Sequence, residues 1–130
     1  MRVLIVEDEF LIAKLLEDVV QDDGYEAIGP VSTVEQALAY APRADIALVD
    51  LSLSDGNSGQ LLARRLIDRF GIDVIFVTGD PGPVQQGFDG ALAVVKKPFR
   101  DEEITGALAM ALDKRSRSVA RPTAMEKPAL

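Results

Sequence analysis

Three carboxylates, a hydroxyl and an amine stand directly after apolar runs in this chain. Glu7-Asp8 follow residues 3–6, Asp50 follows 46–49, Thr78 follows 74–77 and Lys97 closely follows 91–95. Each run is of strand length and continuously apolar, the pattern of strands covered on both faces in a parallel sheet. In such sheets, ligands bind beyond the carboxyl ends of the strands, next to the point where strand order reverses. The five side chains are therefore expected to converge on one edge. Two like unit charges about 4 Å apart repel by roughly 4 kcal/mol at an effective dielectric near 20, so gathered carboxylates need a compensating cation. A hard divalent ion with oxygen ligands, Mg2+ by preference, meets that need. Glu9 reads differently, as an acid at a helix start that favours the helix dipole.

The elements that must position these groups are legible in outline. Leu11, Leu15, Leu16 and Val19 form one apolar stripe, Lys14, Glu17, Asp18 and Gln21 are left for solvent, and Gly24 supplies a stop. Ser32-Thr33-Val34-Glu35 has capping-box spacing, and Val34, Ala37, Leu38 and Ala41 follow at helical intervals. Ile104, Ala107, Leu108, Ala111 and Leu112 repeat that pattern. A weaker strand over 25–29, carrying Glu26, reads as an edge. The order is β-α repeated five times, which right-handed crossovers turn into an α/β, doubly wound parallel sheet with helices on both faces. The fourth helix should fall within "DPGPVQQGFDG", where two prolines and three glycines make the poorest helix sequence in the chain. It is expected to be short, frayed or mobile.

At 130 residues and 48% apolar composition the chain fits one domain with an ample core. The absence of histidine and cysteine excludes disulfides, thiolate chemistry, ordinary zinc sites and histidine general-base catalysis. Residues 1–113 carry 9 Lys/Arg against 20 Asp/Glu, an acidic balance that argues against nucleic-acid binding; residues 114–130 carry 5 against 1. The ordered domain is accordingly placed at 1–114, and 115–130 is read as a disordered basic tail. No apolar run is long enough for membrane insertion and only Met1-Arg2 precede the first one, so the expected location is cytoplasmic.

The set Glu7-Asp8, Asp50, Thr78 and Lys97-Pro98 resembles the receiver domain of bacterial two-component response regulators, over roughly residues 1–114. The resemblance implies a CheY-like, flavodoxin-like (βα)5 fold with five strands in the order 2-1-3-4-5. Carried over residue by residue, it makes Asp50 the phosphoacceptor and Glu7 and Asp8 the acidic pair that holds Mg2+. The Ser52 backbone carbonyl becomes a further metal ligand, Thr78 the switch hydroxyl and Lys97 the amine that pairs with the phosphoryl group. The Lys97-Pro98 bond matches one that is usually cis in the family. Where many receivers carry an aromatic residue three positions before the lysine, this chain has Val94, and where many have proline four residues after the acceptor it has Ser54. Phe76 in "VIFVTG", with the glycine-rich segment beyond it, is similar to the FAT GUY group of single-domain receivers, although Phe76 itself reads first as core. Asp80 and Ser52 lie where side chains could steer a hydrolytic water.

The resulting expectation is a stand-alone receiver. It accepts a phosphoryl group on Asp50 from a histidine kinase or histidine phosphotransfer protein, and signals by protein-protein interaction or acts as a phosphate sink. It is not expected to be an enzyme beyond its own Mg2+-dependent phosphorylation and autodephosphorylation, and homodimerisation on phosphorylation is left open. Two alternatives are a receiver-like interaction module independent of phosphorylation and an aspartyl-nucleophile phosphohydrolase. The complete acid, hydroxyl and lysine set argues against the first. Ser52, where a hydrolase would have a second acid, argues against the second.

Overall fold

The computed structural model describes residues 1–53 and 58–126, the part from residue 118 onward as backbone only. Five strands alternate with helices: β1 (Arg2–Val6), α1 (Phe10–Asp22), β2 (Glu26–Val31), α2 (Val34–Tyr40), β3 (Ile46–Val49), α3 (Ser58–Phe70), β4 (Asp73–Thr78), β5 (Ala91–Lys96) and α4 (Asp101–Glu126). The strands form one parallel sheet in the order β2-β1-β3-β4-β5, as the resemblance implies.

Because side chains alternate across a strand, the apolar runs feed two cores. Leu4, Val6, Ala47, Val49, Val74 and Phe76 meet Ala37 of α2 and Leu62, Ala63 and Leu66 of α3 on one face. Val3, Ile5, Ile46, Leu48, Ile75 and Val77 meet Leu16, Val19 and Val20 of α1 and Ile104, Leu108 and Ala111 of α4 on the other. Each fully buried Val, Leu or Ile stabilises the fold by about 1.5–3 kcal/mol. Among the described residues no helix is long and apolar enough to cross a membrane.

The structure departs from the sequence reading at four places. On α1 the buried residues are Ala13, Leu16, Val19 and Val20, whereas Leu11 and Leu15 are 74% and 52% exposed. The helix carries two adjacent apolar stripes and the sheet takes only the one containing the small Ala13. On α4, Leu112 is likewise exposed while the rest of its stripe is buried. The edge strand runs two residues past its expected end through a bulge opposite Ile5, formed by Gly29 at φ +90° and Pro30. A Cβ on Gly29 would lie 2.8 Å from the Val31 nitrogen, so the bulge requires glycine.

The fourth departure is the end of the domain. The sequence reading ends it at residue 114 and takes 115–130 as a disordered tail; the backbone of α4 continues as helix to Glu126, and residues 127–130 lie outside the described residues. Two cations tie α4 to the sheet where this extension begins. Lys114 Nζ is 2.5 Å from Asp73 Oδ1 and Arg115 Nη2 is 3.0 Å from Asp45 Oδ1. Between β4 and β5 there is only a 3-10 turn, Gly82–Val84, in agreement with the expectation of a short fourth helix. Two apolar side chains tie this connection down: Val84 is buried, and Phe88 packs edge-on against Phe76 with ring centroids 5.1 Å apart.

Candidate functional site

Strand register brings the chemical groups together. Val6 lies beside Val49, Val49 beside Phe76, and Thr78 beside Lys96, so the residues that end these strands reach one level at the carboxyl edge. Backbone hydrogen bonds continue the ladder past the strand ends: Asp50 N–H donates to Val6 O (3.0 Å), Glu7 N–H to Val31 O (2.9 Å) and Lys97 N–H to Thr78 O (2.8 Å). Between them opens a cleft of about 610 Å3 whose lining includes Asp8, Glu9, Asp50, Ser52, Asp80 and Lys97. The Lys97-Pro98 peptide bond is cis.

Asp50 is almost completely buried and its Oδ1 accepts a hydrogen bond from Ser52 N–H (2.9 Å). Oxygens of Glu7, Asp8 and Asp50 lie within 4.8 Å of one another. Lys97 Nζ sits among acids, 2.8 Å from Glu7 Oε1, 3.2 Å from Glu9 Oε2 and 3.5 Å from Asp50 Oδ2. Burial pulls the Lys97 ammonium toward neutrality, but Glu7, Asp50 and Glu9 together outweigh it and hold its pKa above the ordinary value. Burial likewise favours the neutral form of Glu7 and raises its carboxyl from 4.5 to about 7, with Lys97 opposing the rise and Asp50 adding to it.

The donor set suits a hard divalent cation. Glu7, Asp8 and Asp50 all offer carboxylate oxygens, and Ser52 lines the same cleft as Asp8 and Asp50. Glu7 Oε1 is buried, and the Lys97 ammonium 2.8 Å away is the cation that faces it. That one ammonium is shared among several carboxylates, so a divalent ion would offset the negative charge that remains. The residues present therefore fit Mg2+.

Thr78 stands at the same edge but is engaged elsewhere. It is fully buried, and its Oγ1 accepts from Asp80 N–H (3.0 Å) and donates to Asp80 O (3.2 Å). Val94 is 41% exposed, and Phe76 is fully buried against Phe88, the core role the sequence favours. Ser54 lies outside the described residues.

Two residues of the site escape the sequence reading. Glu9, read only as a helix-start acid, is the residue at the α1 N-cap; its side chain makes no capping bond and instead reaches Lys97. Gly59, near the start of α3, lies so close to the loop after β3 that a Cβ would come within 2.5 Å of the Asp50 carbonyl oxygen and 2.7 Å of Leu51 Cα. A glycine at a helix start was the only available signal, and it does not say what the helix abuts.

Comparison with known proteins agrees with this geometry. The family described as response regulator receiver domain matches residues 3–109. The phyllosphere-induced regulator PhyR of Methylorubrum extorquens is 34% identical over 115 residues, covering 85% of this chain and 43% of that protein. The aerobic respiration control protein ArcA of Escherichia coli is 31% identical over 108 residues, covering 80% and 45%. The chain thus spans less than half the length of these relatives. Among solved structures, the response regulator PhyR of Brucella abortus superposes with a TM-score of 0.84 at 31% identity, covering 93% of this chain and 51% of that one. A CheY-like receiver domain protein of Methanospirillum hungatei gives 0.75 at 25% identity, covering 90% and 97%.

Proposed function

Because this chain belongs to the response regulator receiver domain family, we propose that Asp50 accepts a phosphoryl group from a histidine kinase or histidine phosphotransfer protein. The observation that carries the reading is the convergence on the buried Asp50 carboxylate of two further acids and an ammonium group. An Asp50 oxygen attacks the phosphorus of a phosphohistidine; the new O–P bond forms as the N–P bond breaks, and the bonding pair leaves with the imidazole nitrogen. Phosphoryl transfer asks little of the protein beyond positioning and charge neutralisation. Glu7, Asp8 and Asp50, with the Ser52 carbonyl, would hold Mg2+, which supplies charge neutralisation for the entering phosphoryl oxygens. Lys97 then exchanges its carboxylate partners for a phosphoryl oxygen, and Thr78 leaves Asp80 to donate to another. The released Asp80 turn changes the surface of the connection between β4 and β5, through which a downstream protein is engaged.

The donor side is supported by α1, which starts directly after the cleft residues Asp8 and Glu9 and carries the exposed apolar side chains Phe10, Leu11 and Leu15. Exposed apolar side chains on this helix suit an apolar helical surface carrying the donor histidine. The likeness to PhyR supports a donor shared with a regulator of that type, this chain passing on or draining its phosphate in the cytoplasm. It turns over no external substrate.

The test is direct. Wild-type protein incubated with Mg2+ and a small phosphodonor is expected to gain one acid-labile phosphate by intact mass, absent from Asp50→Asn. Absence of any adduct with small donors and with phosphorylated kinases refutes the reading.

A further inference from the structure

Of the three carboxylates around the Lys97 ammonium, Glu7 and Asp50 belong with Asp8 to the cluster suited to a divalent cation. Glu9 does not. Its backbone begins α1, the carbonyl accepting from Ala13 N–H at 2.9 Å, yet its side chain contributes no cap. Its own N–H donates to Glu7 Oε2 at 3.1 Å, which ties the Glu9 backbone to the acid cluster. Its carboxylate is 63% exposed on the rim of the Asp50 cleft, bonded to a lysine 88 residues away in sequence.

We propose that Glu9 is a positioning residue for phosphoryl transfer: it is the counter-charge that retains Lys97 while a cation occupies the acid cluster, and from which the ammonium is released to reach the phosphoryl group. The proposal rests on the Asp50 reading and deepens it. Were Glu7, Asp8 and Asp50 to hold a divalent ion, their oxygens would be less available to Lys97 and its ammonium would be repelled from them. Glu9, outside that cluster, is then the carboxylate left to Lys97. It keeps the ammonium beside the acceptor but in competition with the incoming phosphoryl oxygens. It also adds a negative charge at the mouth through which an anionic donor enters. Removing the carboxylate is therefore expected to quicken phosphorylation, by about two- to fivefold, the size of an exposed ion pair. A mere helix-dipole role predicts a change in stability with no change at Lys97.

The experiment uses the full chain with Mg2+ and acetyl phosphate, the rate of adduct formation being read by intact mass for wild type, Glu9→Gln and Asp80→Asn. Asp80→Asn removes one charge from the same rim, from a residue that forms no ion pair with Lys97 among the described residues, and retains an acceptor for the Gly82 N–H that Asp80 Oδ1 holds at 3.1 Å. In parallel, the Lys97 Cε resonance is followed in 13C-lysine-labelled protein saturated with Mg2+ alone, assigned with Lys97→Arg. Glu9→Gln is expected to phosphorylate about two- to fivefold faster, Asp80→Asn to fall short of that gain, and the Lys97 resonance to move in Glu9→Gln. An unchanged rate, a gain matched by Asp80→Asn, or an unmoved resonance in Mg2+ overturns the proposal. If wild type takes phosphate from no donor, the Asp50 reading fails, and the resonance alone then decides whether Glu9 holds Lys97.

Discussion

Glu7 is the residue at which folding and function pull against each other. Its carboxyl is raised from 4.5 to about 7 chiefly by burial, so the folded chain binds a proton more readily than the unfolded chain. The stabilisation this brings is fully present below pH 4.5 and is lost as pH rises through about 7, a swing on the order of 3 kcal/mol. In chelator, the melting temperature is therefore expected to fall between these pH values for wild type, and the part of the fall due to Glu7 to vanish in Glu7→Gln. Thermal unfolding followed by circular dichroism across that pH range checks it. Metal binding reverses the preference, because a carboxylate must be ionised to ligate. Millimolar Mg2+ at pH 8 is thus expected to raise the melting temperature of wild type, and to leave that of Asp8→Ala nearly unmoved. At a hundredfold excess over Kd the gain is about 2.7 kcal/mol. A wild-type melting temperature unmoved by Mg2+ would count against the metal site.

At the scale of elements, the connection between β4 and β5 and the start of α3 carry the expectations. The connection contains only one 3-10 turn, with local bonds such as Gln85 N–H to Gly82 O, and is pinned by Phe88 between Phe76 and the Arg64 guanidinium, 4.8 Å above its ring. Hydrogen exchange is expected to be faster across 82–90 than in the buried stripe of α4 at 104–111, since local turns open without the rest of the fold. Phe88→Ala should accelerate it further and lower stability by about 1–3 kcal/mol, because a half-buried ring and its ring contacts are lost. Equal protection of the two segments in wild type would contradict this. The α3 start is tested by Gly59→Ala. A new Cβ 2.5 Å from the Asp50 carbonyl forces α3 or the acceptor loop to move, at a cost of about 1–3 kcal/mol. Slower phosphorylation than wild type, compared at a temperature where both are folded, is the expected functional readout.

For the whole molecule, the two ends of the sheet divide the work. The carboxyl end gathers the acids and Lys97, while the amino end is clasped by the long α4 through Lys114 to Asp73 and Arg115 to Asp45. Asp73 is buried and Lys114 is half exposed, whereas Asp45 has a second donor in the Arg2 N–H at 2.7 Å. Lys114→Ala is accordingly expected to destabilise by about 1–2 kcal/mol and Arg115→Ala by less, both in urea titrations, with Asp50 chemistry unaffected. If Arg115→Ala proves the costlier change, the clasp is held by a different contact.

The sequence by itself determined the strands and the acceptor edge. Residues 3–6, 46–49 and 74–77 could hardly be other than buried parallel strands, and whatever follows such strands must meet at their carboxyl ends. Glu7, Asp8, Asp50 and Lys97 were therefore legible as a cluster, as was the failure of the fourth helix, which local proline and glycine chemistry dictates. Only the tertiary structure decided which α1 stripe the sheet covers, because Leu11 and Leu15 have the same period as Leu16 and Val20. Only it showed that Thr78 turns to Asp80, that Gly59 abuts Asp50 and that Glu9 reaches Lys97. The physical reason is common to all of these. Apolar periodicity and backbone conformation are encoded within a few neighbouring residues, whereas a side chain's partner, and which of two similar faces is buried, depend on groups far away in sequence that only the folded chain brings within contact distance.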